Sequence, residues 1–319
     1  MRAFQILQTG TTPELVSCPV PDPKAGELRL KIEACGLNFG DLLMIKGTYQ
    51  ERPPLPFTLG MEPAGVVDAI GDGVTGFRIG DRVAVYHGHS GLAEYGCFPA
   101  ENCNRLPDNM TTTTGAGFLV AYGTSHLALD HRARLKPGET LLVLGAAGGV
   151  GLTAVEIGKR MGATVIACAR GKDKLSIAQK AGADHLIDSE TDDLREVVKS
   201  LGGADVVYDP VGGDLFKAAL RACKPEARII PLGFASGQVP QIPANILLVK
   251  NIEVIGYYWG GYLKFAPKLL HDSLDTLLDW YAAGELHPHI SHTLPLERAN
   301  EALELLRARK STGKVVVTI

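Results

Sequence analysis

The stretch LLVLGAAGGVGLTAVEIGKRMGATVIACARGKDK, residues 141–174, decides the fold. An apolar run, Leu141 to Leu144, passes directly into Ala146-Ala147-Gly148-Gly149-Val150-Gly151, and a helical pattern continues to Met161. This is the spacing of a dinucleotide-binding fingerprint with Ala146 in place of its first glycine. Gly148 lets the backbone approach a pyrophosphate, and Gly151 lets helix and strand pack closely. The helix N-terminus aims its N–H groups and positive dipole end at the phosphates. A second strand, Thr164 to Ala169, follows at the distance the motif requires. NAD-binding chains usually end that strand with Asp or Glu, which accepts the ribose 2′-OH. Here Ala169 stands there, followed by Arg170, Lys172 and Lys174. With cations in place of a carboxylate, the strand end favours a 2′-phosphate, which predicts NADPH over NADH. The bland alternative is a solvated basic loop.

Outward from this motif, the texture changes twice. Residues 118–260 alternate strand and helix, with strands at Thr140 to Leu144, Thr164 to Ala169, near Leu186, Val206 to Asp209, Arg228 to Pro231 and Ile252 to Gly256. Six strands in this alternation predict an α/β, doubly wound parallel sheet. Residues 1–117 instead show short strands between turns. Leu30, Ile32 and Ala34 alternate with Arg29, Lys31 and Glu33, the mark of a half-buried strand, and the region predicts a mostly antiparallel β unit. Residues 261–319 carry helical segments at about Phe265 to Ala283 and Leu296 to Arg309, then a last strand, Lys314 to Ile319. That strand must pair with something, and the open edges of the first segment are its natural host. The expected organisation is a catalytic domain made of 1–117 and 261–319, with a nucleotide domain, 118–260, inserted into it.

Bulk composition excludes several classes. An apolar fraction of 45% with 21% charged residues argues against disorder. The net charge of −3, without a Lys/Arg run, predicts no nucleic-acid partner. No run of eighteen apolar residues predicts a membrane span, and the opening MRAFQILQTG lacks a signal-peptide core. Six cysteines without a CxxC pair read as reduced thiols, so a cytoplasmic protein is expected.

The segments CGLNFGDLL, LPFTLGMEPAGVV, GDRVAVY, AAGGVG and STGKVVV together resemble the medium-chain dehydrogenase/reductase superfamily, in its order and over nearly the whole chain. The resemblance implies a Rossmann domain inserted in a GroES-like, mostly β catalytic domain. The zinc-dependent branch binds its catalytic metal through a Cys after a Cys-Gly pair, a His in Gly-His-Glu, and a third Cys or acidic ligand. Here the first two positions read Asn38 and Met61, and the cysteine quartet of the structural zinc lobe is missing. An amide and a thioether are poor zinc ligands, so no metal is expected. The chain is most similar to the zinc-free quinone oxidoreductase branch, which includes the zeta-crystallins.

That similarity implies the remaining site residues. Asn38, Asp41 and Tyr49 match polar positions of the nicotinamide and substrate region. Gly148, Gly149 and Val150 match the pyrophosphate loop, with Ala146, Ala147 and Gly151 beside them. Lys174, with Arg170 near it, matches a 2′-phosphate lysine, and Arg309 a C-terminal arginine near the adenosine phosphate. Tyr122, Gly233 and Phe234 complete the expected cofactor contacts. Asn38 is either a donor to ribose or acceptor oxygen, or a turn-capping amide. Asp41 either organises Asn38 and nearby waters or N-caps the segment Leu42 to Lys46. Tyr49 is a donor or a cleft wall, and Tyr122 a nicotinamide neighbour or core. His87 and His89 read as an exposed loop rather than a metal pair. The aromatic run Tyr257, Tyr258, Trp259 and Tyr262 reads as a cleft wall or a subunit interface, and the family's sheet extension across subunits implies a homodimer.

The expected chemistry is hydride addition from NADPH to a quinone or an α,β-unsaturated carbonyl. Without a strong Lewis acid, hydrogen bonds stabilise the conjugated oxygen and water supplies the proton. The alternatives are an enoyl-thioester reductase, and an NADPH-binding protein with a crystallin-like or RNA-binding role.

Overall fold

The computed structural model describes every residue from Met1 to Ile319. Two compact units divide the chain: one comprises Met1–Val120 and Leu274–Ile319, the other Ala121–Ser273.

The first unit opens with β1 (Arg2–Ile6), β2 (Glu14–Ser17) and β3 (Glu27–Leu37), followed by α1 (Phe39–Lys46), β4 (Phe57–Thr58), β5 (Glu62–Ile70), β6 (Arg82–Val85), β7 (Tyr95–Pro99), β8 (Cys103–Arg105) and the short α2 (Thr112–Ala116). Strand β3 decides the packing. Leu28, Leu30 and Ile32 point into a core with Val67, Val83, Val85 and Phe98, while Lys31 and Glu33 face solvent. Beyond Ala34 the alternation ends and both faces of β3 are buried, because α2 packs on its end.

Helix α3 (Leu119–Leu127) leads into the second unit, where strands and helices alternate: β9 (Thr140–Leu144), α4 (Gly149–Arg160), β10 (Thr164–Ala169), α5 (Gly171–Lys180), β11 (His185–Asp188), α6 (Leu194–Ser200), β12 (Ala204–Asp209), α7 (Gly213–Ala222), β13 (Cys223–Pro231), α8 (Ala244–Lys250) and β14 (Glu253–Val254). The strand order β11-β10-β9-β12-β13-β14 is parallel throughout, the expected doubly wound sheet. The order reverses between β9 and β12, and sheets of this kind take ligands at the carboxyl ends of the strands that flank such a reversal.

The chain ends with α9 (Tyr262–Phe265), α10 (Pro267–Ala282), β15 (Ile290–Pro295), α11 (Ala299–Arg307) and β16 (Lys314–Thr318). The expected helix from Phe265 to Ala283 is broken at Ala266, where the following Pro267 disfavours helical geometry. Strand β16 pairs antiparallel with β3, Val315 opposite Leu37 and Val316 opposite Gly36, so β3 lies between β5 and the last strand of the chain.

Two glycines at the β9–α4 turn differ in kind. A Cβ on Gly151 would stand 2.2 Å from the Gly145 carbonyl oxygen, whereas one on the exposed Gly148 would meet that oxygen only at 3.4 Å. Gly151→Ala is therefore expected to cost about 1–3 kcal/mol by overpacking, read as a Tm lower by several degrees. Gly148→Ala should keep Tm within about one degree, as an exposed site with an ordinary contact does. Thermal unfolding by circular dichroism decides, and equal Tm values for both variants would contradict this account of the turn.

Candidate functional site

The carboxyl edge of the parallel sheet gathers most of the expected cofactor residues. The β9–α4 turn begins at Gly145, whose φ of +61° suits glycine, and Gly148 is the N-cap of α4. The amides of Gly149, Val150 and Gly151 occupy the first turn of a twelve-residue helix, where N–H groups have no carbonyl one turn earlier to bond. Ala146 is different: its N–H bonds the Cys168 carbonyl, so it contributes a methyl group and not an amide. Three buried hydroxyls hold this turn from behind. Ser125 Oγ lies 2.8 Å from both Thr153 Oγ1 and Tyr208 Oη and donates to the Val150 carbonyl at 2.9 Å. Tyr122 is buried, and its hydroxyl donates to Glu156 at 2.6 Å, so it braces α3 against α4.

At the end of β10, Arg170 is the N-cap residue of α5 and pairs at 3.3 Å with Glu190, both well exposed. Lys174 is half-buried in the first turn of α5. Asp188, at the end of β11, accepts from the backbone N–H groups of Gly171 and Glu190, which hold its carboxyl below the usual range. Gly233 and Phe234 follow β13. A Cβ on Gly212 would lie 3.3 Å from the Phe234 ring, and Ala235 N–H bonds the Pro210 carbonyl, so the loops after β12 and β13 are joined. Arg309 belongs to the first unit, exposed just beyond α11 with φ +55°. The aromatic run packs mostly within the second unit: Trp259 and Tyr262 are buried, and Tyr257 donates to the Thr124 carbonyl at 3.0 Å. Tyr258 stays exposed, with Phe265 beside the run.

The first unit holds Asn38, Asp41 and Tyr49 close together, along with two residues that sequence reasoning missed. Asn38 is the N-cap residue of α1, and Asp41, expected as a possible cap of a helix from Leu42, instead sits at its third position. The Asp41 carboxylate accepts from the Asn38 backbone N–H at 2.8 Å, and the Asn38 side chain faces the Asp41 backbone N–H in return, the two sides of a capping box. The Asn38 side chain also meets partners outside the helix. Its Nδ2 donates to Glu62 Oε1 at 2.9 Å, and its Oδ1 accepts from Lys314 Nζ at 2.8 Å. Glu62 and Lys314, both buried, form an ion pair, and Glu62 Oε2 accepts from the Val120 N–H at 3.0 Å, at the start of α3. Gly36 makes the pair possible: a Cβ there would stand 2.7 Å from Glu62 Oε1 and 2.1 Å from the Ala116 carbonyl oxygen. Removing one partner of such a pair strands the other charge, at a cost of about 3–5 kcal/mol. The signal was present in sequence, a lone Glu opening EPAGVV and a lone Lys opening KVVVT, because a charge in an apolar strand demands a partner.

Tyr49 packs on Gly40 of α1 beside Met61: a Cβ on Gly40 would meet Met61 Cε at 2.7 Å and Tyr49 Cε2 at 3.3 Å. Burial pushes the Cys35 thiol well up, so it is an inert group here. His87 and His89 correct the expectation of an exposed loop. They are half-buried with rings 5.0 Å apart, His87 also edge-on to Phe98, and burial pushes His89 down to about 4.

The chain matches two family profiles, one described as "Alcohol dehydrogenase GroES-like domain" over residues 24–130 and one as "Zinc-binding dehydrogenase" over residues 149–280. It is 43% identical over 297 residues to a quinone oxidoreductase-like protein 2 homolog of Nematostella vectensis, covering 91% of this chain and 81% of that protein. The crystal structure of Escherichia coli quinone oxidoreductase complexed with NADPH superposes with a TM-score of 0.94 at 28% identity over the full length of both chains. The quinone oxidoreductase of Thermus thermophilus, also solved as a complex with NADPH, gives 0.90 at 34%, again over both full lengths. The zinc in one profile's description does not fit the residues present. At the two ligand positions stand Asn38 and Met61, and the neighbouring carboxylate, Glu62, is already neutralised by an ammonium. A divalent cation there would be repelled by Lys314 and would meet neither thiolate nor imidazole. The glycine turn and the amides of α4, in contrast, fit a dinucleotide phosphate.

Burial pushes the Asp41 carboxyl up to about 7, opposed by the Asn38 N–H and the Lys314 charge. A native-state value raised above the unfolded one means stability is fully present below about pH 4 and is lost as pH rises through about 7. Asp41→Asn removes this dependence. Urea unfolding is expected to show the wild type losing on the order of 2 kcal/mol between pH 5 and pH 8 relative to Asp41→Asn. Parallel pH profiles for the two proteins would refute this.

Proposed function

Because the chain belongs to the quinone oxidoreductase branch of the medium-chain dehydrogenase/reductase superfamily, we propose that it is an NADPH-dependent reductase that transfers hydride, without zinc, to a quinone or α,β-unsaturated carbonyl. The observation that carries this reading is the ammonium of Lys314 bonded to Asn38 and Glu62, where zinc-dependent relatives would need metal ligands.

In this reading NADPH, when bound, supplies the hydride. The protein's own residues bind, orient and stabilise. The amides of Gly149, Val150 and Gly151 take the pyrophosphate, with the exposed Gly148 leaving room for close approach. Lys174 and Arg170, at a strand end without a carboxylate of its own, take the 2′-phosphate. Gly233 and Phe234 line the same sheet edge. Asn38 and the Tyr49 hydroxyl donate to the conjugated oxygen as it gains charge, and a solvent proton completes the hydroquinone or saturated carbonyl product. Nothing in the donor set would polarise an isolated ketone strongly, so conjugated acceptors are favoured over simple ones.

No helix is long and apolar enough to cross a membrane. A homodimer forms part of the proposal. Strand β14 ends the six-stranded sheet with one edge unpaired, through which a second copy would extend it. Sedimentation at micromolar concentration is expected to show a dimer, and a monomer alone would remove this part.

The central test is NADPH oxidation across quinones, enones and enoyl thioesters, with NADH in parallel. Quinones or enones should be reduced, with a higher kcat/KM for NADPH than for NADH, and Lys174→Glu should weaken NADPH selectively. Preference for NADH overturns the cofactor reading. Preference for enoyl thioesters moves the substrate class, and binding of NADPH without turnover favours a non-catalytic role.

A further inference from the structure

We propose that Lys314 is a positioning residue, which together with Glu62 fixes the end of the Asn38 amide presented to the ligand. Its kinetic consequence rests on the reductase reading; the orientation itself rests on geometry alone. An ammonium only donates hydrogen bonds, so the Asn38 atom 2.8 Å from Lys314 Nζ is the carbonyl Oδ1. A carboxylate only accepts, so the atom 2.9 Å from Glu62 Oε1 is Nδ2. The two charges of one ion pair therefore read the two ends of one amide and leave it a single orientation.

One Nδ2–H is spent on Glu62, and the other has no protein acceptor. Asn38 is half-buried, whereas the pair behind it is buried, so the open side of the cluster offers an N–H. The positive charge at Oδ1 polarises the amide and strengthens that donor. The ligand atom matched to this position is a hydrogen-bond acceptor, a carbonyl or quinone oxygen or a ribose hydroxyl oxygen. A group that can only donate is rejected. Without Lys314 only Glu62 holds the amide, through Nδ2, and the end carrying Oδ1 swings more freely, so the remaining N–H is aimed less well at the ligand oxygen. The Lys314 charge thus acts through Asn38, 276 residues away in sequence.

The test uses the full chain and two readouts. The Asn38 side-chain amide signals, identified by their loss in Asn38→Ala, are followed by 15N NMR in the wild type and in Lys314→Met. The expected result is slow exchange in the wild type and exchange about tenfold faster in Lys314→Met, the equivalent of one lost hydrogen bond. Lys314→Arg, which keeps the charge, should restore protection. Equal exchange in wild type and Lys314→Met overturns the proposal, whether or not the protein turns over. In kinetics with NADPH and 1,4-benzoquinone, Lys314→Met should lower kcat about tenfold to a hundredfold, with KM for NADPH within about twofold. In an Asn38→Ala background the same change should cost less than about twofold, because the two residues act as one unit. Equal losses in both backgrounds overturn it. If Lys314→Met does not fold, the charge-neutral pair Glu62→Gln with Lys314→Met replaces it in both readouts. Wild-type kcat or wild-type exchange in that folded double variant then overturns the proposal. A wild type that oxidises no NADPH with any acceptor removes the reductase reading, and the exchange measurement alone decides the orientation.

Discussion

Opposite charges sealed from water, Glu62 and Lys314, meet across β3, and the mixed sheet of the first unit is organised around their meeting. An ion pair in such a place survives only when its remaining lone pairs and protons are satisfied. Here Asn38 and the Val120 amide supply the carboxylate's other bonds. One side chain on β5 thus fixes the end of β3, the start of α3 and the last strand of the chain. The requirement reaches down to Gly36, whose missing side chain is the space the carboxylate occupies.

The second unit is governed by a constraint of the opposite kind, close approach of backbone to backbone. Gly151 lies against the Gly145 carbonyl, and a hydroxyl network of Ser125, Thr153 and Tyr208 holds the turn of α4 rigid from behind. Such a turn positions amides, not side chains, so its chemistry tolerates few exceptions at the glycines and many in the rest of the helix. The two units differ accordingly: one presents backbone dipoles and the other an ordered set of charged and polar side chains.

The parallel sheet was legible because its first strands are apolar runs separated by helices, and all six strands lie at or near the places the alternation put them. The glycine turn was legible because its spacing is local. Helices α2 and α3 were not: TTTTGAGFLVAYGTSHL is rich in threonine and glycine, weak helix formers that tertiary packing overrides. Helix α8 was hidden for a different reason, as a short ANILLVK segment inside what reads as a loop. Glu62 and Lys314 could not be paired from letters, since they lie 252 residues apart and a charge reveals its burial only through its partner. The histidines at 87 and 89 misled in the same way, because Gly and Ser neighbours suggest a surface and the fold half-covers them.

The lysine at the head of β16 also sets a limit on redesign. A metal site could not be grafted onto this scaffold by supplying thiolate and imidazole at positions 38 and 61 alone. The resident ammonium, anchored at the far end of the polypeptide, would have to leave first, and its departure would uncover a bare carboxylate in a closed interior. Each intermediate along that route is less stable than its start, so the two chemistries are separated by a valley that single replacements do not cross.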